Sequence, residues 1–177
     1  RLNYLRWAAI IDSAKKMKID QVSFLPADVS SHAFNREILW SENRQDEILL
    51  TKEELPALKM VIQKLSEDYQ PEFDSHFIAE SPEKIRKIYD YYAAFYGLNL
   101  FPYKKCNAPW VSTVIEADGT VRPCFFHNAI GNIRDGSLDK ILNSRNAIDF
   151  RKNLNVHTDA TCIKCVCYLN LSPVKDI

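Results

Sequence analysis

The cysteines of this 177-residue chain are confined to one region of it. Three of the five fall within six consecutive residues, and the full set is Cys106, Cys124, Cys162, Cys165 and Cys167. A Cys-x2-Cys pair such as Cys162 and Cys165 can place two thiolates on one ion or cluster, because its short turn keeps them close together. Four thiolates suit either tetrahedral zinc or an iron–sulfur cluster. The pattern therefore predicts a metal site in the C-terminal part of the chain.

Scattered core thiols and disulfide bonds are the alternatives to a metal site. The clustering disfavours core thiols, and the odd number of cysteines disfavours a closed set of disulfides. The sequence also does not open with a charged segment, an apolar segment and a cleavage site, which together form a secretory signal. We therefore expect reduced thiols and a cytoplasmic protein.

The composition of the chain gives no sign of binding to nucleic acid or of insertion into a membrane. Lys plus Arg number 23 and Asp plus Glu number 23, so the formal net charge is zero. The chain as a whole therefore lacks the excess of positive charge that is typical of nucleic-acid-binding proteins. The sequence has no apolar run long enough to span a membrane. Hydrophobic residues make up 46% of the chain, which is enough for one ordinary core. Because the chain begins at Arg1 directly in a helical pattern, we expect it to be part of a longer protein.

The N-terminal part alternates helical and extended patterns. Helical spacing of apolar residues comes first, followed by an apolar, β-branched run. Thr51 and Glu54 form a capping-box pattern, and Ser81 followed by Pro82 is typical of a helix start. The predicted elements are a helix over 2–17, a buried strand over 21–25, a loop over 26–50, a helix from Thr51 to about 69, and a helix from Ser81 to Gly97.

The C-terminal part has a different pattern. Strand-like runs flank Ala117-Asp118-Gly119, and Asp-Gly between such runs predicts a β-hairpin. Cys124 ends the second strand-like run, and Cys106 lies just upstream of the first. Helical stretches over 137–143 and 146–154 then return the chain to Cys162 and Cys165. This order predicts that all four cysteines meet at one end of the hairpin.

The spacing alone leaves the metal open. Structural zinc usually uses two Cys-x2-Cys-type pairs, and here only the second pair has that form. An iron–sulfur cluster suits two widely spaced cysteines plus one close pair. The residues therefore favour an iron–sulfur cluster, with zinc as the alternative. His127, three residues after Cys124, is a further possible metal ligand, although a loop histidine more often makes an ordinary hydrogen bond or is exposed.

A longer set of motifs resembles a known family. The motifs are Cys106–Trp110, Asp118–Cys124, Ile130–Ile133, Ser137-Leu138, Ile141–Ser144, Phe150-Arg151 and Cys162-x2-Cys165. This string is similar to the C-terminal auxiliary-cluster domain of radical SAM enzymes, of the SPASM or twitch type. The resemblance strengthens the prediction of iron–sulfur and implies one 4Fe–4S cluster.

The resemblance implies an α/β fold. Residues 1–100 would be the closing portion of a partial (β/α) barrel of the TIM type. Residues 101–177 would be a small α+β module, built from a β-hairpin and short helices, that holds the auxiliary cluster. The parent enzyme would be a radical SAM oxidoreductase or maturase that modifies a peptide, a protein or a small metabolite.

The sequence departs from the family pattern in two places. The Cys-x3-Cys-x2-Cys signature of the radical-generating cluster is absent, so S-adenosylmethionine and a second 4Fe–4S cluster would belong to another part of the parent. A full SPASM pattern continues with further cysteines, whereas here Cys167 follows Cys165 after one residue and position 171 is leucine. The shorter twitch arrangement is therefore expected. The auxiliary cluster would serve electron transfer or anchor substrate, and an electron donor such as a flavodoxin or ferredoxin would be a partner.

Matching positions assign roles to individual residues. The predicted ligands are Cys106, Cys124, Cys162 and Cys165, with Cys167 as the substitute. Basic residues that flank the ligands are predicted to offset the negative charge of the cluster, unless they are ordinary surface charges: Lys104, Lys105, Arg122 and Lys164. Residues just beyond the C-terminal end of a barrel strand line the active site, which makes four residues candidate substrate contacts: Asp28, Ser30, Ser31 and His32.

Overall fold

The chain divides into two compact units in a computed structural model that describes residues 1–34 and 36–172. The first unit comprises Arg1–Ala27 and Ser41–Pro102. The second comprises Asp28–Trp40 and Tyr103–Ile177. Each unit is described below by itself. The predicted domain boundary follows the sequence rather than this grouping and stays a prediction.

The first unit is built from helices. Its α-helices are α1 (Trp7–Lys16), α2 (Glu42–Ile48), α3 (Leu55–Asp68), α4 (Gln70–Asp74) and α5 (Pro82–Ala94), with 3-10 turns at Tyr4–Arg6 and Lys52–Glu54. Helix α3 contributes one apolar face to the core, and α5 packs against it. The most deeply buried side chains of this core are Ile11, Leu50, Leu55, Leu58, Ile78, Ile85 and Tyr91.

Helix starts and stops follow the capping signals in the sequence. The predicted capping box is confirmed, because Glu54 accepts a hydrogen bond from the backbone N–H of Thr51 and the reciprocal bond is also present. Ser81 Oγ accepts from Lys84 N at 3.2 Å at the start of α5. Gly97, which lies past the end of α5, has a φ of +65°, the left-handed conformation that favours glycine.

The predicted buried strand over 21–25 is wrong as a strand. Only Val22 makes a β-bridge in this segment, and it is a parallel bridge to Ile78. The ladder stops there because the next donors bond to a side chain: the Glu80 carboxylate accepts from Phe24 N at 2.9 Å and from Ser23 Oγ at 2.8 Å. A buried carboxylate therefore takes the place of a neighbouring strand.

The predicted loop over 26–50 contains a helix that the apolar pattern did not reveal. Helix α2 has the sequence ENRQDEI, which is polar on nearly every side. Ser41 begins it, with its Oγ accepting from Arg44 N at 3.4 Å, and Glu42 occupies the first turn. The capping residue was therefore the available signal, since a polar helix has no apolar periodicity.

The second unit is centred on a three-stranded antiparallel sheet. The strands are β1 (Val114–Ile115), β2 (Thr120–Arg122) and β3 (Gly131–Asn132), in the order β1-β2-β3. Val121 in the central strand is fully buried and pairs with both Ile115 and Gly131. The surrounding helices are α6 (Ala108–Val111), α7 (Leu138–Leu142), α8 (Arg145–Asn153) and α9 (Ala160–Ile163). The predicted hairpin and the two predicted helices before Cys162 are confirmed.

The hairpin turn depends on one glycine. Gly119 N donates to Glu116 O at 2.9 Å, and Gly119 has a φ of +88°. This geometry is a tight turn followed by a left-handed residue, one of the usual short hairpin connections. Gly119 O in turn accepts from Ile133 N at 2.9 Å, which ties the turn to the third strand.

The segment Asp28–Trp40 folds around the guanidinium group of Arg36. Arg36 Nη2 lies 2.9 Å from Asp28 Oδ2, and its Nη1 donates to Ser31 O at 3.1 Å. The Trp40 ring lies over the guanidinium carbon at 4.2 Å. Phe34 makes an edge-on contact with Phe125, with 5.0 Å between ring centroids. This last contact attaches the segment to the hairpin region of the second unit.

The fold class is confirmed at the level of mixed helix and sheet. The described residues combine helices with one small antiparallel sheet. Outside that sheet, their β-pairing is a single parallel bridge between Val22 and Ile78. The barrel origin of residues 1–100 therefore stays a prediction. Within the described ranges, none of the helices is both long enough and apolar enough to cross a membrane.

We expect Gly119→Ala to destabilise the second unit. An added Cβ would lie 2.6 Å from Asn132 Oδ1 and 3.1 Å from Ile133 Cγ1, and the positive φ is unfavourable for alanine. The expected loss is about 1–3 kcal/mol of unfolding free energy, measured by urea denaturation with hydrogen exchange at Val121 as a local probe. Gly136→Ala is the matched control, because no heavy atom lies within 4 Å of its added Cβ. Equal losses in the two variants would contradict this account of the turn.

Candidate metal centre

Cysteines from three separate segments line one cavity of the second unit. The cavity has a volume of about 170 Å³, and all five cysteines contribute to its wall. Four of them are half-buried: Cys106, Cys124, Cys162 and Cys165. Cys167 is the exposed member of the set. The structure thus brings together the four residues that the sequence predicted as ligands, and their assignment as ligands stays a prediction.

Cys106 is held in place through its neighbour Asn107. The backbone N–H of Asn107 donates to Leu169 O at 2.8 Å. Its side chain makes a two-way bond with Leu171, accepting from the backbone N–H at 3.0 Å and donating to the carbonyl at 2.7 Å. Asn107 therefore fastens the segment that carries Cys106 to the chain that follows Cys165.

Cys124 is positioned by the exit of the hairpin. It follows β2 after Pro123, and the chain then turns through Phe125 and Phe126, which also line the cavity. Burial raises the pKa of the Cys124 thiol, while the backbone N–H groups of Phe126 and His127 act in the opposite direction by hydrogen bonding to its sulfur. These two backbone donors favour a negatively charged sulfur at this position.

Cys162 and Cys165 lie on the last short helix and the turn that ends it. Asp159 caps α9, because its Oδ1 accepts from Thr161 N at 3.0 Å and from Cys162 N at 2.9 Å. Cys165 N donates to Cys162 O at 3.2 Å, which closes the Cys-x2-Cys turn. The turn therefore presents both sulfurs to the same cavity.

Burial disfavours the thiolate form of Cys162 and Cys165. It raises the pKa of Cys165 to about 12 and raises that of Cys162 as well, with the Asp159 carboxylate adding to the effect at Cys162. A metal ion stabilises the thiolate form and releases the thiol protons as it binds. A buried set of thiols is therefore suited to bind a metal rather than to react as free nucleophiles.

The four predicted basic residues lie in different environments. Lys104 lines the cavity, and its Nζ donates to Ile163 O at 2.9 Å. Burial lowers the pKa of Lys104, while the thiolates of Cys165, Cys162 and Cys106 would raise it. Lys105 is exposed and Lys164 is half-buried at the end of α9. Of the four, Lys104 is the residue whose charge is best placed to act on the cavity.

Arg122 is buried behind the cavity rather than in its wall. Its Nε pairs with Glu116 Oε1 at 3.2 Å, and its Nη1 donates to His127 O at 3.0 Å. The guanidinium group therefore fixes the backbone of the loop that follows Cys124. This contact is positional, and the charge compensation predicted for Arg122 stays a prediction.

A histidine and an aspartate accompany Cys162. One ligand-type atom from each of His127, Asp159 and Cys162 lies within 4.8 Å of the others. His127 Nε2 is 3.3 Å from Cys162 Sγ and 3.8 Å from Asp159 Oδ1. His127 is buried, which rules out the exposed loop position considered from the sequence. Asp159 was not recognised from the sequence, although an aspartate three residues before Cys162 is a typical helix cap.

The four candidate substrate contacts lie in the segment around Arg36. Ser31 is buried, and its Oγ donates to Asp28 Oδ2 at 2.6 Å. His32 Nδ1 lies 2.8 Å from Arg36 O, and Ser30 is half-buried. Asp28 Oδ1 is buried without a hydrogen-bond partner among the described residues. Most polar atoms of this group are therefore used within the segment, and their contact with substrate stays a prediction.

Cys124 and Cys167 provide a test of the predicted ligand set. We expect Cys124→Ala to lose most of the bound metal and part of the unit's stability, because metal binding and folding are coupled. We expect Cys167→Ala to keep its metal, because this side chain is exposed. Metal analysis and thermal unfolding of both variants, reconstituted side by side without oxygen, measure these effects. Loss of the metal in Cys167→Ala but not in Cys165→Ala would show that the ligand set is wrong.

A family model matches the part of the chain that contains these cysteines. Residues 106–166 match the family model described as SPASM, an iron–sulfur cluster-binding domain. Searches of curated proteins and of solved structures gave no significant match. The matched range begins at Cys106 and contains Cys124, Cys162 and Cys165, so it includes the four half-buried thiols that line the cavity. The chain therefore carries a SPASM iron–sulfur cluster-binding domain at residues 106–166.

Proposed function

We propose that this chain is the auxiliary-cluster region of a radical SAM oxidoreductase or maturase. The observation that carries the proposal is the convergence of Cys106, Cys124, Cys162 and Cys165 on one cavity inside the range that matches the SPASM family. SPASM domains occur in radical SAM enzymes, which supports a parent enzyme of that class. The proposed cofactor of this chain is one 4Fe–4S cluster.

The four cysteines would hold this cluster, and the donor chemistry fits it. Thiolates are the usual ligands of such clusters, and the cavity supplies four of them from half-buried positions. When bound, an auxiliary cluster of this kind supplies one-electron redox chemistry or a point of attachment for substrate. Because four thiolates would occupy all four irons, electron transfer is the role that we favour.

The surrounding residues would shield and orient this centre. Phe125 and Phe126 line the cavity with apolar surface, which would limit the access of water to a bound cluster. Lys104 brings a positive charge to the wall and is fixed there by its bond to Ile163 O. A nearby positive charge stabilises the more negative, reduced state of a redox centre, so Lys104 is expected to raise its reduction potential.

Residues 1–100 are proposed to derive from the closing portion of a partial (β/α) barrel. The support for this proposal is the family resemblance of the C-terminal part, because the parallel pairing in the described part of residues 1–100 is the single bridge between Val22 and Ile78. S-adenosylmethionine and its own 4Fe–4S cluster would be bound by another part of the parent, because the Cys-x3-Cys-x2-Cys signature is not in this sequence.

The proposed partners follow from the enzyme class. The substrate would be a peptide, a protein or a small metabolite, and the electron donor would be a flavodoxin or ferredoxin. We propose a cytoplasmic location, because thiols that bind iron must stay reduced. The zero net charge gives no support to nucleic acid as a partner.

A zinc-stabilised, non-catalytic interaction module is the second candidate function. One observation favours it: His127, Asp159 and Cys162 place three zinc-type donor atoms within 4.8 Å of one another. The two candidates differ in the metal that the protein binds and in whether it carries acid-labile sulfide.

Metal and sulfide analysis distinguishes the two candidates. After reconstitution with iron and sulfide without oxygen, we expect a brown protein with about four irons and four sulfides per chain. Protein isolated from cells without oxygen should contain iron rather than zinc. A colourless protein with one zinc and no sulfide would support the interaction module instead.

The division of labour within the parent enzyme predicts an inactive chain. With its cluster restored and with dithionite and S-adenosylmethionine supplied, the 177-residue chain should produce no 5′-deoxyadenosine, because it has no three-cysteine loop to bind this substrate. Liquid chromatography with mass spectrometry measures the product. A radical SAM enzyme with its Cys-x3-Cys-x2-Cys loop intact is the positive control. Formation of 5′-deoxyadenosine by this chain alone would refute the proposed division.

A further inference from the structure

We propose that His127 donates its Nε2–H to the thiolate of Cys162, joining the two halves of the cysteine site and setting the reduction potential of the bound cluster. The inference rests on the proposed function, because it assumes that Cys162 ligates iron. His127 is assigned here as a positioning residue rather than as a ligand.

The geometry around Nε2 favours a donor. Cys162 Sγ lies 3.3 Å away, within hydrogen-bonding range for sulfur, and Asp159 Oδ1 lies 3.8 Å away on a carboxylate. A metal-bound thiolate and a carboxylate are both acceptors, so the nitrogen that faces them carries a proton. Neutral imidazole with its proton on Nε2 and the imidazolium ion both meet this requirement. The hydrogen bond therefore does not depend on the charge of the ring.

The ring and backbone of His127 are both held in place. The Phe150 ring contacts the imidazole with 4.9 Å between centroids. On the backbone side, Arg122 Nη1 donates to His127 O at 3.0 Å, and Glu116 pairs with Arg122. A chain of contacts thus runs from the hairpin to the backbone of His127.

His127 connects two parts of the cysteine site that are far apart in sequence. It follows Cys124 by three residues and belongs to the hairpin half of the site. Cys162 belongs to the C-terminal half, where Asp159 caps its helix. Sequence separation between the two halves is large, so a direct side-chain bond between them fixes their spacing. The N–H group that forms this bond also withdraws electron density from the Cys162 sulfur.

A hydrogen bond to a ligating thiolate raises the reduction potential. The donor withdraws electron density from sulfur and stabilises the additional negative charge of the reduced state. His127→Leu removes the donor, whereas His127→Gln keeps an N–H group on a side chain of similar length. His157→Leu is the matched control: His157 is an exposed histidine of the same unit and stacks on Tyr103.

The test is a redox titration of the reconstituted full chain, followed by optical and EPR spectroscopy. For His127→Leu we expect the equilibrium constant of one-electron reduction to fall on the order of tenfold, which corresponds to about 59 mV. His127→Gln should stay close to wild type, and His157→Leu should not differ from it. An unchanged potential in a fully loaded His127→Leu protein would overturn the proposal.

Two further outcomes are informative. If His127→Leu does not load while His127→Gln loads and keeps the wild-type potential, the positioning role is supported. If neither variant loads, or if pulsed EPR of protein labelled with 15N-histidine shows the strong coupling of a directly bound nitrogen, His127 is a ligand and the donor assignment is wrong. Absence of iron and sulfide from the wild-type protein would instead refute the proposed function, so the two failures are distinct.

Discussion

The second unit depends on bringing four half-buried thiols to one cavity. Each thiol is held by a separate device made of ordinary hydrogen bonds. Asn107 fastens the segment of Cys106, backbone N–H groups surround the sulfur of Cys124, and Asp159 caps the helix of Cys162. These hydrogen bonds shape the cavity. Burial raises the pKa of its thiols, and the positive charge of a bound metal would stabilise their thiolate form.

Local signals made much of the fold predictable. The capping box at Thr51 and Glu54, the Ser81 cap and the Asp118-Gly119 turn each depend on residues that are neighbours in sequence, and each appears in the structure where it was expected. The predicted strand over 21–25 failed because its pairing depends on Glu80, which lies more than fifty residues away. A side chain that replaces a neighbouring strand leaves no local signal.

In the candidate site too, local features were predictable from the sequence and tertiary contacts were not. Spacing was enough to select the cysteines that line the cavity, because a Cys-x2-Cys turn and a hairpin are local structures. The contact of His127 with Cys162 is tertiary, and spacing gave no indication that these two side chains meet. For Asp28 and Ser31 a rule about barrels predicts substrate contacts, and this stays a prediction; in the structure Asp28 pairs with Arg36 and accepts a hydrogen bond from Ser31 Oγ. That rule describes the ends of strands, and no strand precedes Asp28 in the described part of the chain.

The course of the chain through the two units has a consequence for dissecting the protein. Asp28–Trp40 belongs to the unit that contains the cysteines, although it lies far upstream of them in sequence. The polypeptide therefore crosses between the units three times, after residues 27, 40 and 102. A fragment cut before Tyr103 would carry every cysteine but would lack Phe34, and its partner Phe125 beside Cys124 would be uncovered. The cysteine-bearing unit is discontinuous in sequence, so a C-terminal fragment that begins at Tyr103 does not contain all of it.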